Sequence, residues 1–179
     1  GSGSNWLQSG TGIASAEGPG GHFGEFDAVH EDLIRADLLA YGYDQVDQFY
    51  DPGATATQVA NAVNAGRGIM NYTGHGSQTA WSTSGFNNTR VNALTNDGQL
   101  PLIISVACNN GTFTNATCFG EAWLRATNGS NPTGAIATYM SYISQSWAPP
   151  MYAQDEVVDL LVADEKRTVG GLLFSGSCE

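Results

Sequence analysis

The most apolar stretch of the chain is Leu100-Pro101-Leu102-Ile103-Ile104-Ser105-Val106-Ala107. Its length and its branched side chains predict a strand buried on both faces, as in a parallel sheet. Around it, strand-like runs at residues 12–16, 46–50, 68–72 and 135–140 alternate with helical spacing at 29–41, 55–65, 89–94, 118–126 and 151–163. Residues 168–174 fit either a strand or a helix. This alternation predicts an α/β fold with a mostly parallel sheet flanked by helices.

Composition limits the classes of partner. The 179 residues suit one domain, and 6 basic against 17 acidic side chains give a net charge of −11. No cluster of Lys and Arg offers the basic stripe that nucleic acid requires, and no apolar run has the length of a membrane span. Nucleic acid and membranes are therefore poor partners, whereas a cationic substrate is favoured. Residues 1–4 are interpreted as a scar or linker, and the low Lys content suggests an exported bacterial protein.

Two expected strand ends are followed by reactive residue types. Gly74-His75-Gly76 follows the strand at 68–72, and Cys108 ends the apolar run at 100–107. If these strands are parallel neighbours, both loops lie at the same edge of the sheet, where functional groups gather. Imidazole can activate a thiol, and the N–H groups of Gly76 and Cys108 could bind an oxyanion. The alternatives are a buried, unreactive cysteine and an ordinary loop histidine.

The remaining cysteines and histidines give weaker signals. Cys118 opens an apolar helix and is expected to be a buried thiol, whereas Cys178 is expected to be exposed. His22, His30 and His75 lack the spacing of metal ligands, and there is no C-x-x-C motif. The residues alone therefore favour a Cys/His pair over a metal site.

The sequence resembles a known family. Gly74-His75-Gly76 followed by Val106-Ala107-Cys108 is the arrangement of the caspase-like clan of cysteine peptidases, and the chain resembles the arginine-specific gingipain R type from about Trp6 to about Gly171. The matching segments are Ile13-Ala14-Ser15-Ala16-Glu17-Gly18, Tyr41-Gly42-Tyr43, Tyr50-Asp51-Pro52-Gly53, Asn71-Tyr72-Thr73-Gly74-His75-Gly76-Ser77, Ala93-Leu94-Thr95-Asn96, Cys118-Phe119, Pro132-Thr133-Gly134, Gln145-Ser146-Trp147-Ala148 and Gln154-Asp155-Glu156. The resemblance implies a caspase-like sandwich. Residues 5–179 would form the catalytic subdomain, and the family's N-terminal subdomain and immunoglobulin-like domain are expected to lie outside the chain.

The resemblance also assigns catalytic roles. Cys108 would be the nucleophile, and His75 the general base and acid. Glu17 would lie behind His75 and orient it; from the sequence alone, a solvated loop carboxylate is the alternative. The N–H groups of Gly76 and Cys108 would form the oxyanion hole.

A second set of residues would form the substrate pocket. Asp27 would lie at the floor and hold an arginine side chain, with Gln145 and Trp147 as walls and Met151 lining one side. The sequence alone favours Asp27 as a helix N-cap and Trp147 as a core residue.

The implied function is a secreted or cell-surface cysteine endopeptidase that cleaves proteins or peptides after arginine, with no cofactor for the chemistry. Gingipains bind calcium as a structural ion, and Glu25 and His30 match positions near one such site, although the subdomain that supplies its other ligands is absent. The rival class is a truncated, inactive protease-like domain that acts as a binding module or as one chain of a processed complex. Other chains or subdomains of the same precursor are expected partners. A sugar-binding domain would need an aromatic platform in place of the Cys/His pair.

Overall fold

The computed structural model describes residues 5–21, 23–114 and 116–178; the expected linker at 1–4 and His22 lie outside the described residues. After a 3-10 helix at Asn5–Gln8, the strands are β1 (Ser9–Ala14), β2 (Gln45–Tyr50), β3 (Ile69–Thr73), β4 (Gly76–Ser77), β5 (Ala80–Trp81), β6 (Leu102–Val106), β7 (Thr127–Asn128), β8 (Asn131–Pro132) and β9 (Ala137–Met140). The helices are α1 (Asp27–Tyr41), α2 (Ala56–Asn64), α3 (Asn88–Val91), α4 (Phe119–Arg125), α5 (Ala148–Val162) and α6 (Val169–Gly176).

The main sheet has five strands in the order β2-β1-β3-β6-β9, and all of its pairings are parallel. The expected parallel sheet is therefore confirmed. β3 and β6 lie inside the sheet and are buried along their whole lengths, as the apolar run at 100–107 predicts. β4 pairs with β5 and β7 with β8 in two small antiparallel sheets.

Helices cover both faces of the sheet. Successive strand residues point to opposite faces, so Met70 and Ile103 pack under α2, α3 and α4, whereas Ile69 and Ile104 pack against α1, α5 and α6. The first cluster is dominated by stacked and edge-to-face aromatic rings around Trp81. Three layers result, with the sheet in the middle.

Capping residues set several of the helix boundaries. The Thr55 side chain accepts a hydrogen bond from the N–H of Gln58 and begins α2, as expected. Gly42 adopts φ 122° and ends α1, a conformation that favours glycine. Residues 168–174, which fit either structure, form most of α6 and its cap, because the Thr168 side chain caps the helix and Leu172 packs into the core.

The structure corrects two expectations. Residues 73–88, expected as an open polar loop, contain the β4–β5 hairpin. In α1, Val29 and Leu33, which fit the apolar helical spacing, are 49% and 43% exposed, whereas His30 and Glu31 are fully buried. The buried face of α1 is therefore partly polar, because it meets polar side chains of β3 and α5.

Candidate active site

The carboxyl ends of β3 and β6 form one edge of the sheet. Thr73 lies opposite Val106, and the N–H of Gly74 donates to the carbonyl of Val106 at 3.1 Å. His75 and Cys108 each follow two residues later, so they leave the sheet at the same level. This confirms that the two strands are parallel neighbours.

His75 is held on the β4–β5 side of this edge. Its carbonyl accepts hydrogen bonds from the Tyr72 hydroxyl at 2.5 Å and from the N–H of Ser82 at 3.0 Å. Its Nε2 lies 3.6 Å from Glu17 Oε1, and its ring meets the Trp147 ring edge-to-face, with centroids 4.9 Å apart. Glu17 is 60% exposed and its carboxylate faces the imidazole, so it is solvated, and its role in orienting His75 stays a prediction.

Cys108 lies against the segment that leads into α5. Its thiol points to the carbonyl of Gln145 at 3.8 Å. The next residue, Asn109, adopts φ 62° and donates its N–H to the carbonyl of Ile143 at 3.0 Å. Cys108, Gln145 and Trp147 line one narrow cavity. The thiol is therefore partly accessible at a bend fixed by hydrogen bonds.

The two loops touch at Gly76. A Cβ at this position would lie 2.8 Å from Ala107 Cβ and 2.9 Å from the carbonyl oxygen of Cys108, so only glycine fits without a shift. In the described part of the chain, the N–H of Cys108 has no hydrogen-bond acceptor. This donor is thus available where the two loops meet.

Asp27 is a buried carboxyl group that contacts Trp147. One carboxylate oxygen accepts the indole N–H of Trp147 at 2.7 Å, and the other accepts the Ser15 hydroxyl at 2.6 Å. Burial raises the pKa of Asp27, and the hydrogen bonds from Ser15 and Trp147 oppose that rise. The N-cap of α1 is Phe26, so the alternative of Asp27 as N-cap is wrong.

A cavity of about 160 Å³ lies beside Trp147 and is lined by Glu17, Gly18, Pro19 and Trp147. Trp147 is half-buried and contacts both His75 and Asp27, so it belongs to the site rather than to a core cluster. Met151 is fully buried in the first turn of α5, one turn beyond Trp147. The segment that begins α5 thus reaches the imidazole, the thiol and the buried carboxylate.

Comparison with known proteins identifies the family. The model of Peptidase family C25 matches residues 2–179. The chain belongs to peptidase family C25. Over 177 residues it is 48% identical to Gingipain R2 of Porphyromonas gingivalis, covering 96% of this chain and 24% of that protein. It is 34% identical to Lys-gingipain of the same species over 113 residues, covering 63% of this chain and 6% of that protein.

Solved C25 structures share the fold. The crystal structure of the Arg-specific cysteine proteinase gingipain R superposes with a TM-score of 0.93 at 47% identity, over 96% of this chain and 41% of that chain. The complex of the Porphyromonas gingivalis RgpB pro- and mature domains gives 0.92 at 47% identity, over 96% and 42%. The resemblance to gingipain R and the caspase-like α/β fold are confirmed. The chain spans about a quarter of the length of the curated Gingipain R2 that it matches.

The two expected calcium residues contact each other directly. His30 Nδ1 lies 3.4 Å from Glu25 Oε1 and 3.5 Å from Asp155 Oδ1. Burial alone would raise the pKa of Glu25, but hydrogen bonds from its own N–H, from Phe23 and from His30 lower it. Among residues 5–21, 23–114 and 116–178, no group of three His, Cys, Asp or Glu could hold a metal. Calcium takes six to eight oxygen ligands, so these two residues do not fit a calcium site by themselves, and the calcium expectation stays a prediction.

Sequence reasoning missed residues that organise this edge of the sheet. Asn110 is fully buried, accepts the Ser105 hydroxyl, and donates to the carbonyls of Ser77 and Ala80. It therefore ties the Cys108 loop to the hairpin that follows His75. Ser15 was also missed as the partner of Asp27. The hydrogen-bond partners of Asn110 and Ser15 lie 5 to 33 positions away in the sequence, so no short motif predicts most of these bonds.

Proposed function

We propose that the protein is a cysteine endopeptidase that cleaves peptide bonds after arginine. One observation carries the proposal: Trp147 joins the imidazole of His75 to the buried carboxylate of Asp27, while lining one cavity with Cys108. In this proposal, a nucleophile, a base and a cation-binding carboxylate share one sheet edge. The similarity to the Arg-specific gingipain R supports the same reaction class. Because the chain spans only part of such relatives, the activity of the whole protein is part of the proposal.

The chemistry follows from the two loops. His75 takes the proton of the Cys108 thiol, and the thiolate attacks the carbonyl carbon of the substrate. The N–H groups of Gly76 and Cys108 stabilise the oxyanion that forms. His75 then protonates the leaving amine and activates the water that hydrolyses the acyl-enzyme, while Glu17 orients the imidazole. No cofactor enters these steps.

Specificity follows from Asp27. A guanidinium can donate two parallel hydrogen bonds to a carboxylate, whereas an ammonium offers a single compact charge. Each oxygen of Asp27 already accepts one hydrogen bond and keeps a second lone pair for a ligand. The arginine side chain would enter beside Trp147, with Gln145 and Met151 completing the walls. The net charge of −11 favours cationic substrates in general, but only the paired geometry selects arginine.

The cellular location of the reaction is also a proposal. We infer that the protein cleaves protein or peptide substrates outside the cell or at its surface. No helix among the described residues is long and apolar enough to cross a membrane. A relative has been solved as a complex of its pro- and mature domains. Other parts of the same precursor are therefore the proposed protein partners.

Covalent labelling tests the proposal against the inactive-module alternative. An arginyl chloromethyl ketone is expected to modify wild-type protein at Cys108 and to leave Cys108→Ala unlabelled. Cys178→Ala is the matched control, because it removes an exposed thiol far along the chain from the site. It should be labelled like wild type. Folded wild-type protein that resists the reagent and hydrolyses no arginyl peptide would favour the binding module.

A further inference from the structure

Asn110 is a buried side chain that lies between the two loops of the site. It is 0% exposed and follows Cys108 by two residues. A Cβ built at Gly76 would lie 2.9 Å from Asn110 Nδ2, so the amide packs directly against this glycine. Its side-chain hydrogen bonds in the described part of the chain end on neither the imidazole nor the thiol. An effect of Asn110 on the chemistry must therefore pass through the backbone.

Three hydrogen bonds fix the Asn110 side chain. Its Nδ2 donates to the carbonyl of Ser77 at 2.6 Å and to the carbonyl of Ala80 at 3.1 Å. Its Oδ1 accepts the Ser105 hydroxyl at 3.0 Å. Because a backbone carbonyl can only accept, the amide nitrogen must face the β4–β5 hairpin, and the orientation of the amide has no alternative. Both hydrogens of Nδ2 are therefore donated to the hairpin.

Asn110 is in turn anchored to the sheet. Ser105 of β6 donates to its Oδ1 and accepts the indole N–H of Trp81 at 2.8 Å. Trp81 is fully buried and packs against the rings of Tyr72 and Phe119. A continuous chain of contacts thus runs from the aromatic cluster through one amide to the hairpin, which leaves the amide little freedom to move.

These bonds join the two loops beyond the end of the sheet. The pairing of β3 with β6 ends with the bond from the N–H of Gly74 to the carbonyl of Val106. Past that point, the side-chain bonds of Asn110 tie the Cys108 loop to the hairpin that begins directly after His75. Loss of the amide would therefore let the base and the nucleophile shift relative to each other.

We propose that Asn110 is a positioning residue that holds His75 and the N–H of Gly76 in register with Cys108. The proposal rests on the proposed function, because it assigns Asn110 to the same Cys/His chemistry. A shift of about 1 Å in a reacting group can cost about a hundredfold in rate. Asp27 and Trp147 receive no hydrogen bond from Asn110 among the residues that the structure describes. Loss of the amide should therefore slow turnover and leave the binding of arginine largely unchanged.

The test compares Asn110→Ala with Asn96→Ala. Asn96 is a matched control, because it is 1% exposed, donates from Nδ2 to the carbonyls of Gln99 and Gly134, and accepts one N–H. It lies on the amino side of β6 and β9, at the opposite edge of the sheet. Both variants should lower the urea midpoint of unfolding. For an arginyl amide, Asn110→Ala should lower kcat about a hundredfold and change KM less than about threefold. Asn96→Ala should keep kcat within about twofold.

Two further measurements separate positioning from stability. Asn110→Asp keeps the shape of the side chain and replaces the donating nitrogen by an oxygen, so it should lose kcat to a similar extent. Iodoacetamide alkylation of Cys108 is measured in a Cys178→Ala background, which removes the exposed thiol. Asn110→Ala should slow this alkylation about fivefold or more at pH 7, because the imidazole is less well placed to take the thiol proton. Asn96→Ala should change it less than about twofold.

Each outcome decides the proposal. If kcat of both Asn110 variants stays within about threefold of wild type, the positioning role is overturned and the proposed function stands. An equal loss of kcat in Asn96→Ala, a rise in KM as large as the fall in kcat, or failure of both Asn110 variants to fold also overturns it. If wild type cleaves no arginyl substrate, the proposed function fails, and the alkylation rates alone decide. Slower alkylation in Asn110→Ala than in Asn96→Ala then supports the positioning role, and equal rates overturn it.

Discussion

Replacement of Asp27 by Asn tests the basis of arginine specificity with little change of shape. The asparagine oxygen can still accept the Trp147 indole N–H, and its amide can donate to the Ser15 hydroxyl, which also accepts from the N–H of Glu17 at 3.1 Å. The bond from Trp147 is therefore kept, and the bond between Ser15 and residue 27 is reversed in direction. What is lost is the negative charge and one of the two acceptors that a guanidinium needs.

The size of the effect follows from the burial of Asp27, which is 0% exposed. Removing one partner of a buried ion pair costs about 3 to 5 kcal/mol. At about 1.4 kcal/mol for each factor of ten, kcat/KM for an arginyl substrate should fall by roughly a hundredfold to a few thousandfold. A lysyl substrate makes one charge-assisted contact instead of a fork and should lose less. The arginine-to-lysine preference of wild type should therefore drop at least about tenfold.

The assay measures kcat/KM for two peptide amides that differ only in arginine or lysine before the scissile bond. Iodoacetamide alkylation of Cys108 serves as the control and should change less than about twofold, because Asp27 does not touch the thiol. Burial raises the pKa of Asp27, so its charge is lost as pH falls through that pKa. KM for arginine should rise on the acid side in wild type and stay flat in Asp27→Asn. Equal turnover of both substrates by wild type, or an unchanged preference in the variant, refutes the pocket assignment.

Four further changes have defined outcomes. Gly76→Ala should lower kcat about ten- to a hundredfold with a smaller change in KM. The added methyl group would clash with Ala107 and with the carbonyl of Cys108, and so would displace the N–H groups proposed to bind the oxyanion. Glu17→Gln should slow turnover by less than about fivefold, since an exposed ion pair contributes at most about 1 kcal/mol; a loss above a hundredfold would contradict this. A thiol reagent should modify Cys178 rapidly and Cys118 only after unfolding, because Cys118 is buried and burial raises the pKa of its thiol. Burial raises the pKa of Glu31 from 4.5 to about 8, so the unfolded chain releases this proton at lower pH than the folded protein does. At about 1.36 kcal/mol for each pKa unit, the unfolding free energy of wild type should fall by about 4 to 5 kcal/mol between pH 4.5 and 8 in urea titrations. Glu31→Gln should abolish this fall.

The sequence predicts those parts of the fold that depend on periodic burial. The run at 100–107 forms an interior parallel strand, and the spacing at 55–65 gives a helix capped by Thr55. The placement of His75 and Cys108 after neighbouring strands, at one edge of the sheet, follows from the parallel pairing of those strands. In contrast, β4 and β5 have two residues each, too short for any alternation to predict. The hairpin depends on tertiary bonds such as those from Asn110.

The sequence does not predict the buried polar face of α1, for a different reason. Glu31 meets Thr73 from 42 positions away, and Gln154 from 123 positions away. No local pattern distinguishes these side chains from solvent-facing ones, because Glu and Gln normally lie on the surface. Only the fold brings them together. Helical spacing therefore predicted the helix correctly and misjudged which side chains it buries.

The buried contacts of Glu31 and Gln154 differ from apolar packing in their dependence on direction. Apolar contacts are non-directional, so a leucine in place of Glu31 could let α1 slide against β3 without a large penalty. Hydrogen bonds from Gln154 to two elements lose most of their energy when their geometry changes. Misplacement of a binding group by about 1 Å can cost about a hundredfold in rate. Hydrogen bonds that join the helix beginning with Asp27 to the strand leading to His75 therefore restrict sliding of these two elements more than an apolar contact would.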